Sequence, residues 1–378
     1  MRRKVMVIFG TRPEAIKLAP VVEALGRSTA LLPSVCVTGQ HREMLDQMLG
    51  FFGIRPDYDL AVMQANQDLF GLTARLLQGL QPVLASDPPA AVLVQGDTTT
   101  AFAAALAAYY LRIPTGHVEA GLRSGDPYNP FPEEINRRLT THIARWHFAP
   151  TPRAADNLRR EGIAAERIVV TGNTIVDAIH SILARLEPRD DVSRFLPEDL
   201  IHGRRLILVT GHRRESFGAG LRNICKALRT IADRYDDVVI FYPVHLNPHV
   251  QAPVKHILGN HPRILLTEPL DYFEFVRVMR RAFLIITDSG GIQEEAPSLR
   301  IPVLVVRDTT ERPEGVDAGV ARLVGTQSER IVAAAEQLLT DETAYRRMVA
   351  ASNPYGDGHA AESIVDYLER ALHDPRRD

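Results

Sequence analysis

The chain has 378 residues, 45% of them hydrophobic and 24% charged, with a formal net charge of −2. That length favours two domains, each able to bury its own core, and the near-neutral balance implies no bulk attraction to nucleic acid or an anionic membrane. The two cysteines, Cys36 and Cys225, sit in apolar segments that fit buried thiols better than a disulfide scaffold, and no apolar run reaches the ~18–20 residues of a membrane span.

Short β-branched runs alternate with longer helical patterns, the signature of βα units and parallel sheets. Residues 1–10 start directly as a strand with no signal-peptide pattern, so a cytoplasmic protein is expected. The first half predicts strands at Lys4–Phe9, Ser34–Thr38, Ala91–Gln95, Thr115–Glu119, Trp146–Pro150 and Arg167–Thr171. Helices fall between them at Pro13–Gly26, Arg42–Phe52, Asp68–Ala85, Thr99–Leu111, Glu133–Ala144 and Arg153–Glu161. A helix at Ile175–Leu186 leads into the polar stretch EPRDDVSRFLPEDLIHG, read as a linker. The pattern then restarts, with strands at Leu206–Thr210, Val238–Tyr242, Ile264–Thr267, Phe283–Thr287, Val303–Val306 and Arg322–Val324 and helices between them. A last helix, Ala360–Leu372, follows the break NPYGDG at Asn353–Gly358.

Residues able to do chemistry gather where strands end. GTRPE (Gly10–Glu14) bends at Gly10, suits Pro13 to a first helical position and sets Arg12 and Lys17 near the helix start. Orphan amides at such a start carry partial positive charge and bind phosphate; the same residues also suit a plain helix start with two solvated cations. QGDTTTAF puts Asp97 at the carboxyl edge of the sheet, where ligands of open α/β sheets bind, although Asp97 taken alone reads more readily as an N-cap. HVEAGLRSGD ends a strand in Glu119, and a glutamate that finishes an apolar strand and precedes Ala-Gly is hard to explain as a solvated group. In NPFPEEINRR, Glu133 and Glu134 complement a helix dipole, which is a complete structural explanation. Adjacent helical residues point about 100° apart, so one of the two at most faces a cleft. TGHRRESFG is the second half's counterpart of GTRPE, with His212 titrating near neutral pH. In TDSGGIQEEAPSL, Gly290 and Gly291 let amides approach a diphosphate, and Glu294 or Glu295 suits ribose hydroxyls. Arg312, in DTTERPE, joins the same rim. A phosphate site in each half points to a nucleotide-linked substrate held between two domains. No metal-ligand spacing, Walker A or GxSxG pattern occurs, so neither a metal nor another cofactor is expected.

Assembled, these motifs resemble the non-hydrolysing bacterial UDP-N-acetylglucosamine 2-epimerases. The match runs from GTRPEAIKLAP through QHREMLDQ, GDTTT, GHVEAGLRSGD, PEEINR, TGNT, TGHRRESFG, YPVHLNP, TDSGGIQEEAP, RDTTERPE and NPYGDG, in order over nearly the whole chain. The resemblance implies an α/β fold of two Rossmann-like domains with parallel sheets facing a central cleft, the glycosyltransferase-B-like arrangement. Residues 1–172 plus 359–378 would form the N-terminal domain with a crossing C-terminal helix, and 173–358 the UDP-binding domain. It also implies a homodimer, with UDP-GlcNAc, UDP-ManNAc and UDP as small-molecule partners.

Residue by residue, the resemblance carries catalytic roles onto Asp97, Glu119, Glu133 and His212. Substrate contacts fall on Arg12, Lys17, Asp97, Glu119, His212, Leu270, Phe275, Ser289, Gly290, Gly291, Glu295 and Arg312. Leu270 stands where glutamine is common, so only a backbone contact is expected there. A second UDP-GlcNAc site maps onto Gln40, Glu43, Gln67, Arg213 and His245, with Glu133 touching both sites. Glu43 in place of glutamine and Asn66 in place of arginine would weaken it. The implied reaction follows from the substrate: no carbonyl acidifies the C2 proton, so simple exchange is implausible. Loss of UDP from C1 makes that proton removable and gives 2-acetamidoglucal, and re-addition with the proton on the other face gives the manno epimer. No carbon is formally oxidised, so no nicotinamide is needed. The runner-up is a glycosyltransferase of the same architecture using a UDP-sugar donor, which would require an acceptor.

Overall fold

The computed structural model describes the chain apart from positions 1, 40–41, 63, 65–66, 187–191, 193–194, 212–216 and 374–378, and apart from the side chains at 42–44. Contacts divide it into two units, Met1–Ala178 with Tyr355–Asp378, and Ile179–Pro354.

The first unit runs β1 (Arg3–Phe9), α1 (Arg12–Arg27), β2 (Leu31–Val37), α2 (Arg42–Phe52), β3 (Tyr58–Asp59), α3 (Leu69–Ser86), β4 (Ala91–Gln95), α4 (Thr99–Tyr110), β5 (Thr115–Val118), α5 (Glu133–Ile143), β6 (Trp146–Ala149), α6 (Pro152–Arg160), β7 (Ile168–Val170) and the start of α7 (Thr174–Arg185). Its strands form one seven-stranded sheet in the order β3-β2-β1-β4-β5-β6-β7, parallel at every pairing. β4, β5 and β6 are buried along their whole length, as central parallel strands must be when helices cover both faces. The short β3, pairing Tyr58 with Cys36, was not expected; two residues show no alternation.

The second unit continues with α8 (Glu198–Ile201), β8 (Arg205–Thr210), α9 (Ala219–Arg234), β9 (Val238–Pro243), α10 (Pro248–Leu258), β10 (Ile264–Thr267), α11 (Tyr272–Arg281), β11 (Leu284–Thr287), α12 (Gly290–Glu295), β12 (Val303–Val305), α13 (Pro313–Asp317), β13 (Ala321–Leu323), α14 (Ser328–Thr340) and α15 (Glu342–Ala350). Its six strands lie in the order β10-β9-β8-β11-β12-β13, again all parallel. Ile207, Ile240, Leu284 and Ile286 form its core with the inner faces of α9, α10 and α14. Seven of the seventeen residues of the stretch expected as a linker lie outside the described residues, and its described end includes α8.

Both units are Rossmann-like: the first six strands of each, in chain order, take the arrangement 3-2-1-4-5-6. The order reverses between β1 and β4 in one sheet and between β8 and β11 in the other. Ligands of such sheets bind outside the carboxyl ends of the strands at that reversal. The chain then returns to the first unit through α16 (Ala360–His373), which packs on α1 and sets Tyr367 edge-on to Phe148 at 5.8 Å. Asp177, in the first turns of α7, accepts the amides of Ala360 and Ala361 at 3.3 and 2.8 Å. The contact boundary therefore falls inside α7, after Asp177, later than the break expected at 172. No helix among the described residues is long and apolar enough to cross a membrane.

Candidate active site

The turns after β1, β4 and β5 bring together most of the candidates of the first unit. Glu14, which sequence reasoning did not single out, is the hub. It is fully buried, and its Oε2 accepts the amides of Gly10 and Thr11 at 3.1 and 2.8 Å and the Thr11 hydroxyl at 2.7 Å. Its Oε1 accepts the Thr98 hydroxyl at 2.6 Å, so one carboxyl group ties the turn after β1 to the turn after β4 across the topological switch. Burial pushes its pKa up, opposed by these bonds. The signal was present as Thr-x-x-Glu at a helix start, a capping-box pattern.

Asp97 follows Gly96, whose φ of +72° makes the bend that turns the chain out of β4. The N-cap of α4 is Thr98, whose hydroxyl accepts the Ala101 amide at 3.0 Å. The N-cap reading of Asp97 is therefore set aside. Its carboxylate instead pairs with Arg137 of α5, and its carbonyl accepts Asn136 Nδ2 at 3.0 Å. Beneath the bend, His117 is wholly buried, with Nε2 2.7 Å from the Gly96 carbonyl. Burial drives its pKa down to about 3, so the ring is neutral and Nε2–H donates.

Glu119, just past β5, has φ +64°. A left-handed conformation at a non-glycine residue costs on the order of 1 kcal/mol or more, and such outliers persist where the surroundings enforce them. Here they do. Glu119 is buried, its Oε2 pairs with Lys17 of α1, and Gln95 Nε2 donates to the same oxygen at 3.0 Å. Two residues on, Gly121 has φ +91°, and a Cβ there would lie 2.2 Å from the Ala154 carbonyl oxygen. The sequence Glu-Ala-Gly thus reflects a tight reversal that aims the Glu119 side chain back at α1.

Glu133 and Glu134 diverge as helical geometry requires. Glu134 is fully buried and accepts the Ser124 amide at 3.0 Å, Arg137 Nη1 at 3.3 Å and Arg138 Nε at 3.0 Å. Glu133 is half-buried, and its Oε2 is out of contact with solvent and finds no hydrogen-bond partner among the described residues. An orphan buried oxygen of this kind calls for an explanation.

In the second unit, Ser289 is the N-cap of α12, with Gly290 and Gly291 opening that helix. Thr287 Oγ1 accepts the Ser289 amide at 2.9 Å. Glu294 is buried and pairs with Arg312, which separates it from the ribose role considered for it beside Glu295. Gln293 Oε1 accepts the Thr310 hydroxyl at 2.7 Å, and Thr310 Oγ1 accepts the Arg312 amide at 3.1 Å. The α12 helix therefore fixes the 308–312 loop by side-chain bonds. Leu270 precedes Asp271, which caps α11 through the Glu274 amide at 2.8 Å, and Phe275 lies half-buried on that helix. Arg12 is the first residue of α1, half-buried.

His212, Arg213, Gln40 and the side chain of Glu43 lie outside the described residues. The described members of the second candidate site are bonded within their own segments. Gln67 Oε1 accepts Arg75 Nη2 at 2.9 Å, and His245 Nδ1 accepts the Asn247 amide at 3.1 Å. No group of His, Cys, Asp and Glu able to hold a metal occurs among the described residues. The first unit also has a groove of about 940 Å³ lined by Tyr109, Tyr110, Arg145, Trp146 and Tyr367, at the amino ends of β5 and β6, the edge opposite the switch point.

A family model described as UDP-N-acetylglucosamine 2-epimerase matches residues 23–369. The UDP-N-acetylglucosamine 2-epimerase of Yersinia pestis is 55% identical over 369 residues, spanning 97% of this chain and 98% of that protein. The protein of that description from Escherichia coli (strain K12) is 54% identical over 369 residues, with the same shares of both chains. The crystal structure of UDP-GlcNAc 2-epimerase from Neisseria meningitidis bound to UDP-GlcNAc matches with a TM-score of 0.86 at 45% identity, over 97% of this chain and 100% of that one.

Proposed function

The chain belongs to the UDP-N-acetylglucosamine 2-epimerase family, and from that premise we propose that it interconverts UDP-GlcNAc and UDP-ManNAc by eliminating UDP to 2-acetamidoglucal and adding it back. The observation that carries the chemistry is the pairing of Asp97 with Arg137 and of Glu119 with Lys17, at the carboxyl ends of adjacent strands, with Arg137 on the same helix, α5, that Glu133 opens. Carboxylates so held serve as base and acid around a sugar and stabilise positive charge developing at C1. Glu133, with a buried oxygen that has no described protein partner, is the group best suited to address the substrate directly. In the second unit, the Gly290 and Gly291 amides, Arg312 and His212 would hold the diphosphate and Glu295 the ribose. Arg12 adds a cation from the first unit.

The enzyme is further proposed to act in the cytoplasm as a homodimer, supplying ManNAc units for a surface polysaccharide. The exposed Tyr109 and Tyr110, adjacent on α4 and lining the groove of the first unit with Trp146 and Tyr367, are an aromatic face suited to self-association. The reaction is tested by NMR with UDP-GlcNAc in D2O and no acceptor. Deuterium is expected at C2 of both epimers, because the proton passes through a protein acid that exchanges with solvent. Epimerisation with full retention of the original C2 proton refutes elimination, and turnover only with an added acceptor makes the chain a glycosyltransferase.

A further inference from the structure

We infer that Gln95 is a positioning residue that fixes the carboxylate of Glu119 for proton transfer. The inference rests on the elimination reading above and adds a residue that neither the motifs nor the family comparisons single out. Gln95 is the last residue of β4, buried between strands β1 and β5, and pairs in register with Val118 of β5. Its side chain donates to Glu119 Oε2 at 3.0 Å, the oxygen that also takes Lys17. The direction of this bond follows from its donor, because an amide NH2 only donates.

Three features make the contact more than packing. Glu119 lies outside the strand, in a left-handed backbone conformation that its own preferences oppose. Its side chain is then free to swing unless something holds it. Lys17 is a point charge on a flexible stem, and a single ammonium fixes distance but not the plane of a carboxyl group. The amide of Gln95 comes from a rigid central strand, so its bond and that of Lys17 fix two directions at one oxygen. One oxygen of Glu119 is thereby committed to the protein and the orientation of the other is set.

The test pairs Gln95→Leu, which removes the donor at similar volume, with Gln95→Glu, which keeps the shape and turns a donor into a second carboxylate. Turnover of UDP-GlcNAc, KM and UDP affinity are measured for both, with thermal unfolding as a control. Loss of a hydrogen bond to a charged group predicts a fall in kcat of about 10- to 100-fold for Gln95→Leu, with KM and UDP affinity within about twofold of wild type. Gln95→Glu should be worse than Gln95→Leu, because it sets like charges side by side. Turnover of Gln95→Leu within about twofold of wild type overturns the inference. So do equal losses in both variants accompanied by lost UDP affinity, or failure of both to fold, since either makes Gln95 a packing residue. Absence of epimerisation by the wild-type chain is a separate outcome and strikes the proposed reaction, not the role of Gln95.

Discussion

Glu133 and Glu134 share the first turn of α5, yet their surroundings assign them different work. Glu134 is bound by two arginines and a backbone amide in full burial, and one of those arginines, Arg137, also holds Asp97. Glu133→Gln should therefore lower kcat by roughly 10²–10⁴-fold while leaving the unfolding midpoint nearly unchanged. Glu134→Gln should instead cost stability, about 3–5 kcal/mol for breaking a buried ion pair, seen in urea unfolding. Similar kinetic losses and similar stabilities in both variants would mean that the pair merely complements the helix dipole. A second expectation concerns acid. His117, held neutral with its pKa near 3, and His147, also pushed down by burial, take up protons only on unfolding once the pH drops below the ordinary histidine range. The unfolded state then binds more protons, so stability falls as pH falls below about 6.5, by up to about 1.4 kcal/mol per pH unit for His117, with His147 acting in the same direction. Glu14 acts in the opposite sense: its raised pKa means that its contribution weakens as pH rises above the ordinary carboxyl range. Urea unfolding at pH 7, 6 and 5 checks the balance, and a flat or rising stability on acidification would show that the histidine effect does not dominate.

At the level of elements, the α7–α16 junction depends on one cross-helix cap. Asp177 takes the first two amides of α16 from a helix far away in sequence, where a cap is ordinarily local. Asp177→Ala should cost about 1–2 kcal/mol and loosen α16 first, readable as faster amide exchange over 360–373. Unchanged exchange there would show that packing on α1 alone holds the helix. This contact also marks where the sequence stops being legible. Strands such as β1, β4 and β11 and helices such as α3 and α4 announce themselves by composition and period, because each buries its residues against neighbours in a βα repeat. Glu119 was legible as a misfit at a strand end, and so was the pair Gly290–Gly291. Gln95 and Arg137 were not, nor were the bonds of Glu14 to Thr98 and of Glu294 to Arg312, because each acts across a gap in sequence that no local pattern encodes. Asp97 misled for the related reason that its neighbour Thr98 does the capping.

Over the whole molecule, two sheets whose first six strands share one order carry different chemical equipment: carboxylates with their cations in one, a glycine pair and the Arg312–Glu294 pair in the other. The first unit is made of two stretches, 1–178 and 355–378, and they meet where the Asn173 amide donates to the Tyr355 carbonyl at 2.7 Å. Gly172 sits so close to Gly356 there that an added Cβ would lie 3.4 Å from its Cα. In topological terms the second unit is an insert, and the first is a host that has already closed around the insertion point with its own hydrogen bonds. Such a host does not need the insert to complete its sheet, since all seven of its strands precede the insertion. On the function proposed above, nucleotide recognition belongs to the insert and proton transfer to the host, so the two tasks sit on parts of the chain that close their sheets independently.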